Sequence, residues 1–140
     1  MGTSYDEIRD RFLIKIIDYD FMELDENELN EMFDIFLKNA IPKFRYCRKN
    51  LKDRDEITRK FNEVLSDMEQ DILSSLCVLE WMEMQVNNKM NYEKFLSTKD
   101  FHIYSPATHL REINKIKDNM YYQINSLINY YRFDESASEV

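Results

Sequence analysis

The stretch from Ser66 to Val86, SDMEQDILSSLCVLEWMEMQV, does most to limit what this chain can fold into, because its centre is apolar on nearly every face. Ile72, Leu76, Leu79 and Val86 fall at helical spacing on one side, with Ser75 and Met82 beside them. Leu73, Cys77 and Met84 occupy another side. A helix that is apolar almost all round is a buried one. Ser66, followed three residues later by Glu69, reads as a capping box, in which hydroxyl and carboxylate satisfy two backbone N–H groups that lack intrahelical partners. At the far end, the amides of Asn87 and Asn88 compete for the backbone and predict a stop. The rest of the chain then packs around a buried helix over about 66–86, with Leu76 and Trp81 in the core.

One glycine and two prolines in 140 residues leave little turn chemistry for hairpins. The expected fold is therefore all-α, a compact bundle in a single domain over 1–131, which is long enough for one core without disulfides or metals. Ser4 caps a first helix carrying Tyr5, Ile8, Phe12, Ile16 and Tyr19. Asp25, Glu26 and Glu28 start a second, whose apolar face is Leu29, Met32, Phe33, Phe36, Leu37, Ala40 and Phe44. Pro42 breaks it near Ile41. Lys49 to Asp55 reads as a loop, and Glu56 to Leu65 as a short helix with Ile57, Phe61 and Leu65 on one face. A weakly structured link from Asn87 and an extended piece from Thr98 to Tyr104 follow. Ser105-Pro106 then starts a last helix over about 105–131, with Leu110, Ile113, Ile116, Met120, Ile124, Leu127 and Tyr131 as its stripe. The acidic tail, 132–140, is too poor in apolar residues to order without a partner.

The net charge of −8 disfavours non-specific attraction to nucleic acid or anionic membrane. Within it, Lys43, Arg45, Arg48, Lys49, Lys52 and Arg54 stand against Asp53 alone, six cations to one acid. With Phe44 and Tyr46 interleaved, this segment fits an acidic partner or nucleic acid. Cys47 and Cys77 lack metal-ligand spacing and read as free thiols in a reducing compartment. No apolar run approaches the ~18 residues of a membrane span and no export signal is seen, so a soluble, cytoplasmically made protein is expected. Among Glu80, Glu83, His102 and His109, neither histidine has the glutamate three residues before it that a carboxylate-bridged metal bundle uses. Cys47 has cations nearby to stabilise a thiolate but no base in the local sequence. With the lone glycine at position 2, no loop can cradle a phosphate. No cofactor is expected. Tyr121, Tyr122, Tyr130 and Tyr131 exceed what one core face needs and suit a protein–protein interface.

The opening SYDEIRDRFLIKIIDYDFMEL, the segment VLEWM at Val78 to Met82, and FLSTKDFHIYSPATHLREI from Phe95 to Ile113 together resemble the head–tail connector (adaptor or head-completion) proteins of tailed bacteriophages. The resemblance runs from about Ser4 to Tyr131. It implies a virion structural protein with no enzymatic activity: a homo-oligomeric ring, commonly twelvefold, between the portal protein and a tail or stopper protein. DNA would pass through its lumen without specific binding. The family offers no invariant active residues, so the interface expected here rests on the physical reading: Lys43, Arg45, Arg48, Lys49, Tyr121, Tyr122, Tyr130, Tyr131, Phe133, Asp134, Glu135 and Val140. The alternative is a small acidic phage-encoded inhibitor that imitates DNA.

Overall fold

A computed structural model describes residues 2–16, 26–97 and 106–134 of the chain. The expectations for Tyr19, Thr98 to Tyr104, Ser105, Glu135 and Val140 lie outside them. The order is β1 (Thr3–Ser4), α1 (Tyr5–Lys15), α2 (Glu26–Ala40), a 3₁₀ turn (Ile41–Lys43), β2 (Arg54–Asp55), β3 (Lys60–Phe61), α3 (Asp67–Ser97) and α4 (Pro106–Phe133). Helices dominate, and α1, α2 and α4 all pack on α3.

The central helix begins where its cap requires. Ser66 N–H donates to Glu69 Oε1 (2.8 Å) and Glu69 N–H to Ser66 Oγ (3.1 Å). Ile72, Leu73, Leu76, Cys77, Val78, Leu79, Trp81 and Met82 are all buried, which makes α3 the core's axis. It does not stop at Asn87: the helix continues to Ser97, 31 residues in all and about 46 Å long. Each asparagine costs at most about 0.7 kcal/mol in a helix interior, and once nucleated a helix extends one bond per residue. Two weak breakers are outvoted by the helix formers beyond them.

The first helix is capped by Ser4, whose box is closed by Glu7. It buries Tyr5, Ile8, Phe12 and Ile16, and Phe12 meets Phe33 and Phe36 of α2 at 5.4 and 6.0 Å between centroids. At Pro42 the α-helix gives way to the 3₁₀ turn, as the missing N–H demands.

The segment expected to be a short helix, Glu56 to Leu65, is instead the turn and second strand of a β-hairpin. Arg54 pairs with Phe61 and Asp55 with Lys60, and β3 also pairs with β1, giving strand order β1-β3-β2. Phe61 and Leu65 are buried as a shared face would have it, but Ile57 sits at the tip, 93% exposed. The turn needs a left-handed residue, and Arg59 takes that conformation at φ 56°. Tertiary contacts replace the missing glycine: Arg59 reaches Asp34 through Nε (2.7 Å) and Nη2 (2.8 Å), and Asp6 through Nη1 (2.6 Å). Its carbonyl accepts from Tyr5 N–H at 2.9 Å. The one glycine serves elsewhere. A Cβ on Gly2 would run into the Phe61 carbonyl, so Gly2 lets β1 lie close to β3.

Candidate assembly surface

The basic segment is largely tied into its own subunit. Lys43 pairs with Glu80, Arg54 with Glu56 (3.3 Å), and Lys49 with Glu69 (3.3 Å). Lys49 Nζ also donates to the Val64 carbonyl at 3.0 Å. Arg48 caps the end of α4, its Nη2 donating to the last-turn carbonyls of Tyr131 (2.8 Å) and Arg132 (3.1 Å). Lys43, Arg48 and Lys49 therefore each have partners within the subunit, while Lys43 and Arg48 remain exposed. Arg45 is exposed, and its side chain has no hydrogen bond or ion pair among the described residues.

Tyr131, expected at an interface, is instead a core residue, with no exposed surface. Its hydroxyl donates to Glu69 Oε2 (2.6 Å) and accepts from Arg48 N–H (2.8 Å). Its ring lies edge-on to Phe44 at 5.2 Å and under the Arg48 guanidinium at 4.5 Å. Burial, and then the bond to Glu69, push the Tyr131 hydroxyl well above its ordinary range. Glu69 is fully buried as well, yet fully partnered: besides its own cap and Lys49 it accepts from Tyr131 and, weakly, from the Cys47 thiol at 3.8 Å. A buried carboxylate is tolerable only with such partners. Cys47 is thus the opposite of an activated nucleophile. Burial pushes its thiol up to about 11 and the Glu69 carboxylate beside it adds to the rise, which the Lys49 backbone N–H and charge only partly offset. Sequence reasoning read Glu69 as a cap and missed its second role; the signal was a carboxylate at the mouth of an otherwise apolar helix.

The two carboxylates weighed as metal ligands, Glu80 and Glu83, pair with Lys43 and with Lys117 (3.5 Å). Among the described residues no group of three His, Cys, Asp or Glu side chains is placed to hold a metal, and no helix is long and apolar enough to cross a membrane.

By fixing the basic segment against α4, this buried knot displays a set of aromatic side chains. Arg132 stacks over Tyr46 at 4.2 Å and beside Phe133 at 5.3 Å, bringing together residues far apart in sequence. Phe133 is 78% exposed, and Tyr122, three helical turns earlier on the same face, 72%. Tyr121 and Tyr130 are exposed too, while Ile124 and Tyr131 turn inward. Tyr130 bonds Asp134, which raises its hydroxyl pKa, and Asp134 N–H returns to the Tyr130 carbonyl at 3.0 Å. Arg132 and Phe133 therefore belong to α4, so the helix extends past the expected start of the tail.

Comparison of the chain with protein-family models, with curated proteins and with solved structures finds no match.

Proposed function

We propose that this chain is a structural assembly subunit of a tailed-phage virion, acting in a head–tail connector ring between the portal protein and the next tail component. The single observation that carries the assembly reading is the outer face of α4: Tyr121, Tyr122, Tyr130 and Phe133 stand in solvent on a helix whose opposite face is already packed on α3. Tyrosine and phenylalanine presented on a rigid helix give large contact area at low conformational cost, which is what a docking face uses. The place in the neck comes from the sequence resemblance. Mechanism is then assembly: copies join side by side, one rim meets the portal, and the other offers a new surface to the tail or stopper protein. With a net charge of −8 per copy, the lumen repels phosphates and DNA slides through without being held.

The test is genetic and structural. Removing this chain from the phage that encodes it should leave filled heads and separate, unjoined tails in electron micrographs, and restoring it should rejoin them. Joined, infectious particles without it would overturn the reading, as would a chain found bound one-to-one to a nucleic-acid enzyme and absent from particles.

A further inference from the structure

From Asn119 to Tyr131 the chain carries no charge, its longest uncharged run, although 33% of its residues are charged. In α3 the lack of charge follows from burial. Here it does not: the run lies on α4, and only Ile124 and Tyr131 in it are buried. The face turned away from α3 carries Tyr122, Ser126, Asn129 and Phe133, all exposed, at steps of four, three and four. Such steps keep side chains in one line along a helix, the spacing of a two-helix seam. The order is symmetric as well, with an aromatic ring at each end, about 16 Å apart, and a small polar side chain at each inner position. It reads alike from either end, so a second copy running the opposite way meets it position for position.

We propose that two copies of this chain pair antiparallel through the outer faces of α4, with Tyr122 against the partner's Phe133 and Ser126 against the partner's Asn129 about a two-fold axis. An isologous contact needs this reciprocity: where one residue meets a second, the second meets the first. The rings supply the apolar ends, while the small inner residues let the helices come close and bond to each other, hydroxyl to amide. The absence of charge selects the occupant. Two copies at −8 each repel, and they come together at least cost where neither carries charge; a basic partner would be met by carboxylates, which this face lacks. The antiparallel sense opposes the two helix dipoles, which the parallel sense would align. The pair concerns the free chain and goes beyond the connector reading. A two-fold contact cannot be the step of a ring with one rim for the portal and another for the tail, so assembly would exchange it for ring contacts.

Sedimentation velocity on the full-length protein from about 1 to about 200 μM tests this, because a single helix seam falls below the ~1,200 Å² of a standard interface and holds at micromolar concentrations. The wild type should pass from monomer to dimer and stop there. Ser126→Glu and Asn129→Lys should each weaken dimerisation by about tenfold or more, the first by bringing two carboxylates together near the axis and the second two ammonium groups. Both should keep the wild-type circular dichroism spectrum, since these side chains are exposed. The double variant should dimerise again: in the antiparallel register each new glutamate faces a new lysine of the other copy, whereas a parallel pair would set like against like. A wild type that stays monomeric or goes straight to larger rings, single variants that dimerise normally, or a double variant that stays monomeric would each overturn the pair. The connector reading is decided separately, by whether the chain is present in particles.

Discussion

Two arginines tie distant parts of this chain together, and they do so in different media. Arg59 clamps the hairpin to α1 and α2 through Asp6 and Asp34, all three partly open to solvent. Arg48 works beside a buried knot, capping α4 while Tyr131 and Lys49 satisfy the enclosed Glu69. In the clamp, water screens the charges and would replace a lost partner. In the knot nothing can replace it. The number of ionic contacts is thus a poor guide to consequence; access of water decides it.

The largest effects should come from the knot and the core that surrounds it. Leu76→Ala and Trp81→Ala should each cost roughly 2–5 kcal/mol in denaturant melts, through lost burial and a residual cavity. Tyr131→Ala should fall in the same range, since it also unpairs Glu69. Tyr131→Phe isolates the hydroxyl, and a loss of about 1–3 kcal/mol is expected for leaving a buried carboxylate oxygen with only the weak Cys47 thiol as donor. A change near zero would show that water reaches Glu69 and the contrast with the clamp does not hold.

Raising the pH should separate the two regions next. The Cys47 thiol is raised from an ordinary 9.0 to about 11, and the Tyr131 hydroxyl is raised as well. Between about pH 9 and about pH 11 the unfolded chain gives up the thiol proton that the native chain retains. Stability is therefore present in full below pH 9 and falls as the pH climbs through this window. Thermal melts of wild type and Cys47→Ala across it should show the variant losing less. The clamp contributes no such slope, because Asp34 and then Asp6 hold Arg59 charged throughout.

The smallest effects belong to the clamp. Arg59→Ala should cost about 1–2 kcal/mol, from ion pairs worth at most ~1 each, because the left-handed backbone burdens arginine and alanine alike. Arg59→Gly removes the same ion pairs but suits φ 56°, so it should recover about half of that loss. The Arg59 contribution should shrink in high salt while that of Tyr131 does not. If glycine and alanine behave alike, the turn is not held against its own preference.

What the sequence determined by itself is what local chemistry decides. The Ser66–Glu69 box, the Ser4 cap, the Pro42 break and the Pro106 start are all found where their residues stand. So is the buried face of the central helix, because apolar periodicity and capping act within a few residues. The hairpin at 54–61 is the counter-example: nothing local marks Arg59 as a left-handed residue, and only Asp34 and Asp6, brought in by two other helices, make it one. The same holds for the basic segment, which reads as a free patch until the ends of α4 and α3 supply Tyr131, Glu69 and helix carbonyls as partners. Continuation of α3 through Asn87 and Asn88 likewise shows cooperative propagation overriding a weak local preference. Short-range signals fix where helices begin; which charges are spent inside the fold, and which aromatic side chains are left outside it, follows only from how the helices pack.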